Sequence, residues 1–210
     1  MTEHVLPHHF ESADQAYQSS KLGLFLFLAT EILMFGGLFV AYIVNRALYP
    51  EMFREASHHL NVMMGGINTV VLICSSFTMA MAVNSTRLNK NLQAQKMLLL
   101  TLFFAACFIV IKYFEYTHKI HEGLLPGGLF KYAGTHHPKM QLYFSLYFLM
   151  TGLHGIHVFA GMCLIFWVYL KSRRGDLGES YYTPVELVGL FWHLVDLIWI
   201  YLFPLLYLIG

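Results

Sequence analysis

"FLMTGLHGIHVFAG" spans residues 148–161 and lies in the middle of a long apolar run. His154 and His157 stand in it one helical turn apart. Histidine is costly in hydrocarbon, so a span that carries two needs partners inside the fold. The run extends over residues 140–170, and a hydrocarbon core about 30 Å thick is crossed by about 20 helical residues. Four further runs are long enough: 22–44, 60–83, 97–117 and 185–208. Backbone groups in lipid must be satisfied within their own segment. The predicted fold class is therefore all-α, a polytopic membrane helix bundle with five transmembrane helices. Residues 21–210 form this domain, and residues 1–20 read as a polar, His-rich tail carrying His4, His8 and His9.

Composition agrees. Hydrophobic residues make up 57% of the chain and charged residues 12%, about half the charged share of a soluble domain. The mean hydropathy is +0.56. A net charge of +1 supplies no basic surface for nucleic acid. Cys74, Cys107 and Cys163 fall in three different apolar runs, with no CxxC pair, and read as small apolar residues. Residues 1–20 lack the apolar core of a signal peptide. Lys21, Arg87, Lys90, Lys96, Lys171, Arg173 and Arg174 share one predicted side. Arg46, Arg54, Lys119, Lys131 and Lys139 share the other. The basic-residue rule then sets the N-terminus in the cytoplasm and the C-terminus outside.

The ionisable residues within spans are Glu31, Lys112, Glu115, His154, His157, His193 and Asp196. At about 1.5 Å per helical residue, Glu31, His154, His157, His193 and Asp196 can share a layer near mid-membrane. Lys112 and Glu115 are spaced i, i+3 and predict an ion pair on one face of span three. His193 and Asp196 have the same spacing, which lets the carboxylate orient the imidazole. Glu31 has no basic partner on its own helix and is predicted to bond to span four or five. Thr151 and Gly155 are i, i+4, a small-residue pair that allows close helix approach. The layer reads as interhelical hydrogen-bonding groups, buried for structure or for proton handling.

Two rival chemistries compete for the same residues. His154, His157 and His193 could hold a metal or haem in a stand-alone membrane protein, but a zinc or iron site wants three or more convergent ligands. No HExxH, GxSxG, P-loop or dinucleotide motif is present. The pairs His58/His59, His118/His121 and His136/His137 fall on the predicted outer side and do not converge with the tail. A transporter would show broken helices and repeats, and neither is visible. No metal ligand set and no catalytic residue is assigned.

Five blocks in order complete the reading. "YFLMTGLHGIHVFAGMCLI" (147–165) resembles the penultimate helix of subunit III of haem–copper oxidases, with its T-G-x-H-G-x-H-V core. "FWHLVDLIWIYLFPLLYLIG" (191–210) resembles that family's last helix. "KLGLFLFLATEILMFGGLFVAY" (21–42), "INTVVLICSS" (67–76) and "FEYTH" (114–118) are similar to the blocks that precede them. Asn68, Gly155 and Trp192, inside these blocks, are taken as helix-packing positions. The match is to a short, five-helix bacterial form, which lacks the two N-terminal helices of the seven-helix form.

The resemblance implies a non-redox subunit of a cytochrome c or quinol oxidase, which reduces oxygen to water and translocates protons. It implies haem and copper in partner subunits and none in this chain. Direct packing on subunit I, association with subunit II and other oxidase subunits, a place in a larger respiratory supercomplex, and bound phospholipid follow from it. So does a multi-pass location in the bacterial cytoplasmic membrane. Glu31, His154, His157, His193 and Asp196 match the family's buried polar set. A similar protein associated with nitric oxide reduction is the alternative within the superfamily.

Overall fold

The computed structural model describes residues 12–132, 139–179 and 181–209. His4, His8, His9, His136 and His137 lie outside the described residues. Among the described residues there are six α-helices: α1 (Ala13–Leu48), α2 (Pro50–Ser57), α3 (Val62–Arg87), α4 (Asn91–His121), α5 (Met140–Arg174) and α6 (Thr183–Phe203). All but α2 are long and apolar enough to cross a membrane. Each begins or ends beyond the apolar run that marks it, because polar residues continue the helix past the hydrocarbon.

The largest such extension corrects the tail. Residues 13–20 are the first turns of α1, not a tail; Ser12 caps them by accepting from the Gln15 N–H at 3.2 Å. The short α2 was not foreseen, since eight residues cannot span and its sequence, PEMFREAS, is polar overall. It buries Met52, Phe53, Ala56 and Ser57. The Phe53 ring sits edge-on to Tyr42 at 5.0 Å and Tyr143 at 5.3 Å. This pins α2 across α1 and α5.

Helices α3, α4, α5 and α6 form a closed ring, each packed on the next and α6 on α3. Asn89, in the left-handed region at φ 56°, turns the chain sharply between α3 and α4. Helix α1 lies outside this ring against α5 and α6. Leu22, Phe25, Leu26 and Leu33 on it are more than half exposed. The ring interior is filled by Leu72, Met79, Phe108, Tyr147, Trp192 and Trp199, all fully buried.

Membrane helices associate through close packing rather than burial from water, so small residues set the contacts. A Cβ on Gly161 would stand 2.7 Å from the Trp192 ring, and one on Gly65 2.8 Å from Phe203. The Trp192 ring lies over Gly161. Gly155 makes no such contact: nothing lies within 4 Å of its Cβ direction. It faces away from the ring, and Gly161 makes the close approach to α6 in its place.

Helix α6 ends in an irregular way. Pro204 lacks an N–H to continue the ladder, and Pro204–Leu208 widen into a π-helical turn. Carbonyls freed there are taken by other helices. The Tyr42 hydroxyl donates to Leu205 O at 2.8 Å, and the Tyr143 hydroxyl to Leu206 O at 2.8 Å. The turn also swings Tyr207 into the ring.

Candidate functional site

Four polar clusters are built into this bundle. The first lies in the ring between α4, α5 and the end of α6. Lys112 Nζ donates to Glu115 Oε2 at 2.9 Å, to the Tyr207 hydroxyl at 2.9 Å and to the Tyr147 hydroxyl at 3.4 Å. Both tyrosines donate in turn to Glu115 Oε1. The ammonium also lies 4.9–5.5 Å from the rings of Trp199, Tyr147, Tyr116 and Tyr207. Lys112 is 7% exposed and Glu115 2%. A desolvated cation is held by one carboxylate, two phenols and four ring faces. The pair is as the i, i+3 spacing expects. Tyr147, Trp199 and Tyr207 were missed, because within an apolar run an aromatic residue reads as core.

The second cluster is the seam between α1 and α5. Glu31 Oε2 lies 2.8 Å from His157 Nε2. The approach is off the line of a ring hydrogen bond. The other ring nitrogen, Nδ1, donates to Leu153 O at 2.8 Å and sets the tautomer. Phe35 stands edge-on to the imidazole at 5.4 Å. Glu31 thus reaches span four, as its lack of an intrahelical partner suggests. The pair opens into an apolar groove of about 410 Å³ lined by Leu24, Phe27, Ile156, Leu164, Val188 and Phe191.

The third cluster lies between α3 and α6. His193 Nδ1 is 2.7 Å from the Ser76 hydroxyl, and Trp192 Nε1 donates to Ser75 Oγ at 3.1 Å. Here the sequence expectation is corrected. Asp196 makes no direct hydrogen bond to His193: its carboxyl lies beside the Ser75 and Ser76 hydroxyls, without a hydrogen bond of good geometry. Asp196 turns into the ring and is 2% exposed, while half-buried His193 turns to a groove beside Asn84, Arg87 and Glu186. Two side chains one turn apart diverge when one faces the core and the other its edge. His154 is corrected in the same way. It is fully buried between Phe108 at 5.5 Å and Trp199 at 5.3 Å, with both ring nitrogens unpartnered. Asn68, also fully buried, has both amide atoms unpartnered.

The fourth cluster sits at the end where α1 begins and was missed. Glu186 Oε2 accepts from the Tyr17 hydroxyl at 2.9 Å. Glu186 Oε1 accepts from Arg87 at 2.8 Å and pairs with Lys21 at 3.5 Å. One carboxylate in the first turn of α6 ties down α1 and α3. The only signal was an acidic residue two positions after Pro184, which reads as a helix start. At the opposite end, His59 packs edge-on to Tyr132 at 5.2 Å, and burial holds its pKa below the usual histidine value.

His154, His157 and His193 each have separate neighbours. Among the described residues no three metal-capable side chains gather. The arrangement can lock helices, hold isolated charge in the membrane, and present one acid–imidazole pair to a lipid-sized groove.

Comparison with known proteins accounts for this plan. The family model described as cytochrome c oxidase subunit III matches residues 6–210. The cytochrome c oxidase subunit 3 of Synechocystis sp. is 34% identical over 89% of this chain and 74% of its own length. The quinol oxidase subunit 3 of Bacillus spizizenii is 29% identical over 97% of this chain and 96% of its own. A protein of Aeropyrum pernix named heme-copper oxidase subunit I+III is 30% identical over 97% of this chain, which spans 24% of that longer protein. From the blocks in "Sequence analysis" to the five-helix fold, these matches run along nearly the whole chain, and the chain belongs to the cytochrome c oxidase subunit III family.

Proposed function

We propose that this chain acts as the non-redox subunit III of a haem–copper terminal oxidase in a bacterial cytoplasmic membrane. Its partners carry the haem and copper, reduce oxygen to water and translocate protons. The single observation that carries the reading is the family match over residues 6–210. The Aeropyrum relative bears subunits I and III in its name, which supports direct packing of this chain on subunit I. Subunit II and further respiratory partners join through that contact. The orientation follows the basic residues, with the Glu186 end cytoplasmic.

Within the complex the chain is a scaffold for lipid and for charge. The groove beside Glu31 and His157 has apolar walls and one polar pair at mid-depth. Such a groove takes an acyl chain. Bound phospholipid there braces α1 against the ring and supports the oxidase during turnover and proton uptake. Glu31, His154, His157, His193 and Asp196 act through packing and proton-bearing groups, not through ligation.

The test is affinity purification in mild detergent. Co-isolation with a subunit carrying haem and copper, and oxygen consumption with reduced cytochrome c or with quinol, supports the reading and separates the two donors. Haem or stoichiometric metal on the isolated chain overturns it. For the lipid, native mass spectrometry of wild type against Ile156→Trp, which fills the groove, should show loss of one retained phospholipid. Equal retention overturns that part.

A further inference from the structure

The ring interior holds three side chains whose polar atoms make no hydrogen bond of good geometry among the described residues: Asn68 on α3, His154 on α5 and Asp196 on α6, whose carboxyl lies beside the Ser75 and Ser76 hydroxyls without a full bond to either. The three are 0%, 0% and 2% exposed. A buried amide, imidazole and carboxyl left unpaired are each costly at low dielectric, and native proteins resolve nearly all such groups. Each is tied to Trp199, His154 by ring contact and Asn68 and Asp196 by chain neighbourhood. The His154 ring is 5.3 Å from the Trp199 ring. Trp199 Nε1 donates at 3.1 Å to Thr69 Oγ1, next in sequence to Asn68. Asp196 stands one turn before Trp199 on α6. The contacts Trp192–Ser75 and Trp199–Thr69 bracket it, so it faces α3.

What satisfies these groups must meet several conditions. It must be small, because the ring is closed around them. It cannot be a partner subunit or a lipid, which reach only the outside of the ring. It must donate and accept, because an amide and an imidazole each present both kinds of site and a carboxyl group accepts in either protonation state. We propose that the ring interior around Trp199 is a binding site for ordered water, which bridges Asn68, His154 and Asp196. Buried water in this role makes about three hydrogen bonds and needs two to four polar partners, which these side chains provide. An entry route is present. A groove of about 240 Å³ at the Glu186 end, lined by Asn84, Arg87, Glu186 and His193, reaches His193. From there the Ser76 hydroxyl and Asp196 lead inward. The proposal stands on the interior geometry and does not depend on the oxidase reading.

The experiment uses the assembled membrane complex that contains this chain, in lipid nanodiscs. Infrared difference spectra are recorded in ordinary water and in water labelled with oxygen-18, for wild type, Asn68→Leu, His154→Phe and Asp196→Asn. The expected result is a hydrogen-bonded O–H stretch that shifts with the label in wild type and is lost or displaced in Asn68→Leu and His154→Phe. Asp196→Asn keeps the side-chain shape and should displace the band without removing it. Should the apolar variants fail to assemble, the wild-type and Asp196→Asn spectra, with a high-resolution cryo-electron-microscopy map of wild type, decide alone. Density within hydrogen-bond reach of the three side chains supports the site. A map in which they bond directly to one another, a stoichiometric cation at that position, or spectra without a label-sensitive band altered by Asp196→Asn overturns it.

Discussion

Around Lys112 each ammonium hydrogen has an oxygen partner; around Trp199, the side chains of Asn68, His154 and Asp196 make no hydrogen bond of good geometry among the described residues. Both regions lie in the same four-helix ring and share Trp199, whose ring faces Lys112 and His154. The difference is one of charge and partner supply. A lysine and a glutamate one turn apart on α4 neutralise each other, and two tyrosines brought in from α5 and the π-helical turn complete the network. Neither ion is then left to bear its desolvation alone. Asn68, His154 and Asp196 come from three helices and are buried in the ring without a hydrogen bond of good geometry among the described residues. The first region is closed by protein, and the second calls for a small molecule.

The sharpest way to break this comparison is to unbalance the closed region. Lys112→Met leaves Glu115 buried without its cation and should cost about 3–5 kcal/mol, read as a lower thermal midpoint of the complex in detergent. Adding Glu115→Leu should restore most of that loss. A double variant no better than the single one would show that the tyrosines, not the ion pair, carry the region. A smaller effect separates two of the α5 glycines, Gly161 and Gly155. Gly161→Leu drives a side chain into the Trp192 ring and should cost about 1–3 kcal/mol by overpacking. Gly155→Ala meets open space and should be neutral, or stabilising by up to about 1 kcal/mol through helix propensity. Equal losses at both sites would contradict the face assignment of α5.

Outside the ring the expected effects shrink. Glu186→Gln keeps the size of the side chain but removes its charge from Tyr17, Lys21 and Arg87. Global stability should fall by about 1 kcal/mol or less, since Lys21 and Arg87 are partly exposed. Amide exchange in the first turns of α1 should nonetheless rise, while exchange in α4 and α5 stays unchanged. Uniform change across all helices would mean that α1 is not held by this contact. The smallest effect belongs to His59. Burial disfavours its charged form, so its contribution to stability is fully present above about pH 6.5 and is lost as pH falls through the lower folded value. His59→Phe should flatten that acid-side slope. An NMR titration midpoint for His59 at or above about 6.5 would contradict it.

How far the sequence speaks can be judged from particular residues. Lys112 and Glu115 were legible as a pair because i, i+3 spacing on a helix is local geometry. Glu31 was legible as a group that must reach across helices because nothing on its own helix could neutralise it. His193 and Asp196 misled, since the same spacing did not mean the same partner: one faces a groove and the other the core. Gly155 misled because a small residue marks a permitted approach, not the helix that takes it. Tyr17 was silent in a segment that read as a polar tail, and Glu186 was silent because, at the start of span five, it read only as a helix-start residue.

By itself the sequence determined five spanning helices, their order and the family to which they belong. Apolar length and short-range spacing are one-dimensional quantities, and a bilayer reads them directly. Tertiary structure alone decided that four helices close a ring with α1 outside it. It also decided that Tyr207 returns through a π-helical turn to seal the Lys112 cage, and that Asn68, His154 and Asp196 are all buried in the ring. Those outcomes depend on the rotation of each helix about its axis. In lipid, that rotation is set by which side chains interlock, as Trp192 does over Gly161, not by apolarity, which is nearly uniform around every span.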